Sequence, residues 1–314
     1  MLMILMKKNN LQLLFYKVTL ILALGGFLSG QSCAKNETDT DDIENPVDKI
    51  PGPNKKFAAI DFNHWKITLP VDLNNDSKPD EFQPSSLINY GYQKEVNLKQ
   101  FMFDHTTDTS IVFYTYPAGA TTANSSYPRT ELREQQTAGN NYNNWALTEG
   151  GIMEGTLKVQ SISKDNATSR EYHRVIVMQI HGIISQADMS TYGFEANHAP
   201  PLLKMIWVDG HILAYKKTLV NDTTTGLDLY DDSTATWTDI KYDFGSVAFE
   251  KFTIKIVSLQ GKLSVTVNNK THVFEDISLQ KWPFENYFKA GNYLMATETN
   301  AFANIKYYKL EISH

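Results

Sequence analysis

From residue 57 onward, apolar and polar positions alternate with period two along much of the chain, the signature of strands with one buried face. Residues 151–161 are the clearest case: Met153, Gly155, Leu157 and Val159 share one side, and Ile152, Glu154, Thr156, Lys158 and Gln160 the other. Residues 62–70 read as a strand closed by Pro70, and 101–103 and 110–116 as two more, the second ended by Pro117 and Gly119. Residues 174–181 are more continuously apolar, as a central strand would be. Residues 202–208 and 212–216 flank Asp209-Gly210, a hairpin turn pair, and 252–260 and 262–268 flank Gly261. Residues 287–296 and 304–312 supply the last strands. No helical period persists, apart from one turn near residues 278–282. A dozen or so strands and almost no helix predict an all-β, antiparallel two-sheet sandwich of jelly-roll type, with a groove on one concave sheet.

Two stretches escape the alternation. Residues 72–80 offer hard oxygens for calcium in Asp72, Asn74, Asp76 and Asp80, but lack the glycine and terminal glutamate of an EF-hand loop. They read as an Asx-rich turn. Residues 182–201 show no period and are long for a connection, which makes them a candidate lid or groove wall.

The N-terminus reads as an export signal, residues 1–33: Lys7, Lys8 and Lys17, then a short apolar run, then small residues up to Cys33. Cys33 is the only cysteine. It fits a lipoprotein junction, although Gly30 stands where such junctions usually carry Leu; the plain alternative is an incidental thiol beside an ordinary cleavage site. The first reading places the protein on the outer membrane by a lipid anchor, the second leaves it secreted or periplasmic. Residues 34–56 are acidic and carry Pro46, Pro51 and Pro53, a solvated tether. The folded domain is expected over 57–314. Losing the leader removes three lysines and takes the net charge from −6 to near −9. That argues against general nucleic-acid binding, so any polyanion must meet a local basic groove.

Three strands place polar, chemically capable residues on one face. In Tyr127-Pro-Arg-Thr-Glu-Leu-Arg133, Arg129, Glu131 and Arg133 share a side, with Thr130 and Leu132 opposite. Gln179 and His181 share a face of 175–181, and Tyr287, Lys289, Gly291 and Tyr293 a face of 287–293. Taken singly, each is equally a cross-strand ion pair, a satisfied strand-end histidine or a packing tyrosine. Together they describe one groove with a single carboxylate. Glycoside hydrolysis usually needs two, and neither metal-ligand clusters nor a Gly-x-Ser-x-Gly elbow occur. The set suits removal of a proton alpha to a carboxylate: an Arg and an amide stabilise the developing enolate, and a His or Tyr moves protons.

Arg129-Thr-Glu-Leu-Arg133, Gln179-Ile-His181 and Tyr287-Phe-Lys-Ala-Gly-Asn-Tyr293 resemble the three signature segments of polysaccharide lyase family 7 alginate lyases. Trp65-Lys-Ile-Thr-Leu-Pro70 is similar to that family's first strand. The resemblance implies a jelly roll that binds alginate in a groove on its concave sheet and needs no metal or organic cofactor; a monomer is expected. It implies β-elimination at the 4-O-glycosidic bond, leaving a 4,5-unsaturated uronate. Arg129 and Gln179 would neutralise the C5 carboxylate, His181 would be the base and Tyr293 the acid, or both in a syn geometry. Glu131, Arg133, Lys289 and Asn292 would bind substrate or orient its neighbours. The Gln-Ile-His form of the middle motif goes with guluronate or mixed blocks. One departure is Met295, where the family often has Gln; a subsite contact is lost or supplied elsewhere. The rival readings are a non-catalytic carbohydrate-binding sandwich and a lyase for another uronate polymer such as glucuronan.

Overall fold

The computed structural model describes residues 57–314; the leader, Cys33 and the tether lie outside the described residues. The first six strands are β1 (Ala59–Ile60), β2 (Trp65–Thr68), β3 (Glu81–Phe82), β4 (Met102–Asp104), β5 (Ile111–Thr115) and β6 (Arg129–Glu134). The middle five are β7 (Gly151–Ile162), β8 (Arg174–Ile183), β9 (His198–Val208), β10 (His211–Leu219) and β11 (Trp237–Ser246). The last five are β12 (Phe252–Leu259), β13 (Lys262–Val267), β14 (Lys270–Phe274), β15 (Glu285–Met295) and β16 (Ala303–Ser313).

They form two eight-stranded sheets. One runs β14-β13-β12-β7-β16-β5-β4 with β1 added parallel to β16; the other, which carries the groove, runs β11-β10-β9-β8-β15-β6-β2-β3. All other pairings are antiparallel, as expected of a two-sheet sandwich. The inner faces meet in one apolar core that includes Trp65, Ile67, Leu132, Met178, Phe288, Ile305 and Tyr307. The alternation read in β7 is borne out: Met153, Leu157 and Val159 are buried and Ile152 is exposed. The Asx-rich turn is also present, with Asp72 accepting from the Asp76 and Ser77 amides at 3.1 and 2.9 Å.

Residues 182–201, read as a long aperiodic connection and candidate groove wall, carry structure of their own, and His198, Pro200 and Pro201 at their end line the groove. They hold a short helix, Gln186–Tyr192, capped by Ser185, whose hydroxyl accepts from the Asp188 amide, and ended by Gly193 in the left-handed region at φ 71°. The next strand begins at His198, so Pro200 and Pro201 lie inside β9. Proline is tolerated there because the β8–β9 register slips on both sides of His181 and Pro201, and such irregularities spare the missing amide. β11 is an edge strand whose weak alternation hides it from pattern reading.

Candidate active site

The three polar faces found in the sequence meet on adjacent strands at the centre of the groove sheet. β15 lies between β6 and β8, with Lys289 opposite both Arg133 and Gln179, Tyr293 opposite Arg129, and Tyr287 opposite His181. The β15–β8 register shifts between Ala290 and Tyr293, and Gly291 sits there at φ 137°. A Cβ on Gly291 would lie 2.7 Å from the Thr130 carbonyl oxygen, so no other residue fits where β6 comes this close.

Glu131 is the hub beneath the groove. It is buried (1% exposed) and takes an ion pair from Lys289 at 2.5 Å, a bond from Arg129 Nη1 at 3.2 Å and another from Gln179 Nε2 at 2.5 Å. One carboxylate thus aims three donors, and the floor keeps an excess of positive charge. The Gln179 amide uses one N–H on Glu131 and has a second for a ligand. Arg129 Nε is buried with no hydrogen-bond partner among the described residues. Burial and the neighbouring Arg129 push Lys289 down to about 8, against the pull of Glu131.

His181 is held neutral. Burial, then the nearby Lys289, push its pKa down to about 3. Nδ1 lies 2.9 Å from the Gly182 carbonyl oxygen, which can only accept, so Nδ1 carries the proton and Nε2 has the free lone pair. Its ring stacks on Tyr287 at 5.3 Å, and Tyr287 in turn lies under the Arg133 guanidinium at 4.1 Å. Tyr293 sits further along β15 with the Arg129 guanidinium 4.0 Å from its ring centre and its hydroxyl 2.6 Å from Ser125 Oγ. Ser125 comes from the loop before β6, which no strand pattern marks.

Arg129, Arg133, Gln179, His181, Lys289, Tyr293 and Met295 all line one groove of about 620 Å3. Lys66, Lys204 and Lys217 add positive charge from β2, β9 and β10, against Glu81 and Asp232. An acidic protein thus has the local basic groove that a polyanion requires. Sequence reading missed these three lysines, because each sits in a strand whose groove face is otherwise unremarkable. It also missed His198, which the groove shares with its close partner Asp232.

Two expectations change. Asn292 is not a substrate contact. It is fully buried, and its amide donates to the Phe113 and Ala303 carbonyls at 2.9 and 2.8 Å, bridging to the opposite sheet. The alternation that sends Tyr293 outward sends its neighbour inward. Arg133 lines the groove but spends its fork elsewhere: it donates to the Glu134 carbonyl and to Asn141 and Asn144, pinning the Asn-rich loop. Among the described residues, Asp165, His173 and Glu298 alone group as metal ligands, and none lines the groove.

The fold and site are those of a β sandwich with a basic cleft, a neutral histidine and a tyrosine beside an Arg-amide pair. The family model described as alginate lyase matches residues 60–314, and the chain belongs to that family. An alginate lyase of Klebsiella pneumoniae is 31% identical over 153 residues, 42% of this chain and 47% of that relative, so the match spans about half the relative's length. Among solved structures, alginate lyase A1-II', a member of polysaccharide lyase family 7, is 28% identical with a TM-score of 0.61, covering 81% of this chain and 96% of that one. A variant of A1-II' in complex with substrate (GGMG) is 27% identical with a TM-score of 0.57, covering 81% and 94%. The jelly-roll architecture expected from the sequence is therefore present.

Proposed function

We propose that the protein is an alginate lyase that cleaves the 4-O-glycosidic bond by β-elimination, as a monomer, on guluronate-containing or mixed blocks. The observation that carries this is the neutral His181, its free Nε2 facing the same groove as the Arg129–Gln179–Lys289 donors gathered on Glu131. Arg129 and the second Gln179 N–H bind the C5 carboxylate and stabilise the charge that develops when C5 loses its proton. His181 Nε2 takes that proton. The electron pair forms the C4–C5 double bond, the C4–O4 bond breaks, and the Tyr293 hydroxyl protonates the departing oxygen. Ser125 and Arg129 fix the tyrosine for that step. The block preference rests on the Gln-Ile-His form of the middle motif, and a structural relative holding GGMG is compatible with it.

The test is ultraviolet absorbance of guluronate-rich, mannuronate-rich and mixed alginate incubated with the protein. Elimination creates a double bond conjugated to the carboxylate, and hydrolysis does not. His181→Ala and Tyr293→Phe should each lower kcat by about 10²–10⁴ while leaving the fold intact. No absorbance rise on any alginate, with binding retained, would move the reading to a carbohydrate-binding sandwich; a rise only on glucuronan would keep the mechanism and change the polymer. Export with a lipid at Cys33 belongs to the same proposal, and an unmodified Cys33 peptide from native membranes would rule the anchor out.

A further inference from the structure

We infer that the groove continues across β9, β10 and β11 as a second carboxylate-binding platform, centred on Tyr215 and Lys241, that favours long polyuronate chains over short ones. This rests on the polyuronate reading above.

The strand register carries one row of side chains across the groove sheet. Lys66 stands opposite Arg133, Arg133 opposite Lys289, and Lys289 opposite Gln179. The row then passes from Gln179 to Lys204, from Lys204 to Tyr215 and from Tyr215 to Lys241. Residues directly opposite on neighbouring strands share a face, so the row stays on the groove side throughout. Neighbouring strands lie about 4.8 Å apart, so the three steps from Gln179 to Lys241 extend the platform about 14 Å past the carboxylate clamp, the length of roughly two or three sugar rings.

The chemistry of this extension is one-sided. Lys204 and Lys217 share Asp239, at 3.1 and 2.9 Å. Burial opposes ionisation of Asp239, but the two lysines outweigh it and hold its carboxyl below the usual range. Lys204 and Lys241 flank Tyr215, their ammonium nitrogens 5.8 and 4.9 Å from its ring centre. Lys241 is exposed and has no carboxylate partner among the described residues. Lys204 and Lys217 thus share Asp239 and Lys241 adds a third ammonium group, while the two other carboxylates of this region, Asp232 and Asp243, are held by His198 and His211, in a protein of net charge −6. On the other sheet Lys255 and Lys309 pair with Glu154, Lys262 with Glu275 and Lys306 with Asp108. Lys158 and Lys270, with no carboxylate partner among the described residues, stand there on separate strands, in no row with an anion clamp. An unbalanced row aligned with the clamp is what a chain of evenly spaced carboxylates would bind, with the tyrosine keeping the two ammonium groups apart.

The test compares kcat/KM on a uronate trimer and on long alginate, read by ultraviolet absorbance, for wild type, Lys241→Ala, Tyr215→Ala and Lys255→Ala. Wild type should gain with chain length. Lys241→Ala should lose about two- to fivefold on the polymer, as exposed charge contacts do, and much less on the trimer. Tyr215→Ala should behave alike, and the gap should narrow as salt is raised. Lys255→Ala, on the opposite sheet, should match wild type on both. Equal losses on trimer and polymer, or no loss on the polymer, would overturn the inference. If wild type produces no unsaturated ends, the lyase reading has failed and the platform is judged by calorimetry with the same oligomers: tighter binding of long chains that Lys241→Ala removes supports it, and its absence overturns it.

Discussion

Glu131 and Glu134 lie three residues apart on β6, both almost wholly buried, and the chain uses them in opposite ways. Glu131 faces the groove, and its partners are long, charged or amide side chains: Arg129, Lys289 and Gln179. Glu134 faces the core. Its Oε2 accepts from the Trp145 indole at 3.0 Å and the Phe288 amide at 2.7 Å, and its Oε1 lies 2.6 Å from His314 Nε2. The His314 Nδ1 is 3.0 Å from the Gly150 carbonyl, so the ring closes the end of β16 onto β7 and β15. A carboxylate with rigid partners holds the fold. One whose partners can still donate elsewhere organises a site.

Charge removal separates the two most sharply. Glu131→Gln leaves Arg129 and Lys289 without a counter-charge and lets the Gln179 amide turn away. Activity should fall about 10²-fold or more, comparable to losing a transition-state donor, and the lysine should lose its proton at lower pH than in wild type. Steady-state kinetics across pH checks both, and wild-type activity in Glu131→Gln would break the comparison. Glu134→Leu should do the reverse. It orphans two buried N–H donors at about 1–3 kcal/mol each, so denaturant unfolding should show the loss while kcat of the folded enzyme stays near wild type.

Two smaller effects sharpen the contrast through pH. Lys289 is charged below its pKa of about 8 and neutral above it. Binding of an anionic chain should therefore weaken as pH climbs through 8, giving kcat/KM an alkaline limb there. The limb in kcat should lie higher, because bound carboxylate keeps the lysine protonated. Lys289→Met should remove the limb. His314 belongs to the fold rather than the site. Burial disfavours its charge, but the hydrogen bond and charge of Glu134 outweigh that and raise its pKa. Its contribution is complete below the unfolded value near 6.5 and is lost as pH rises through the higher folded value. Unfolding measured from pH 5 to 9 should show this loss in wild type and a flatter profile in Glu134→Gln, which keeps the hydrogen bonds without the charge.

Much of the site was legible before any coordinates. Period two alone put Arg129, Glu131 and Arg133 on one side of β6, and the structure places Thr130 and Leu132 in the core opposite them. The Asp209-Gly210 hairpin, the turn at Gly261 and the short helix Ile277–Gln280 stand where the pattern placed them. Asn292 was misread because its motif neighbours drew it into the site, although alternation already turned it inward. The helix Gln186–Tyr192 was too short to establish a period. Glu134 and His314 gave no signal, since 180 residues separate them and neither belongs to a motif.

What the sequence determined by itself is the content of each strand: which residues share a face, where turns fall, and that three faces carry arginine, amide, histidine, lysine and tyrosine side chains. Those follow from local geometry, because a strand's side chains alternate whatever lies beside it. Only the tertiary structure decided that β15 runs between β6 and β8, that Glu131 gathers donors from all three, and that one row continues to Lys241. Strand order and register depend on packing between segments distant in the chain, and a shift of one residue would turn every side chain to the other face.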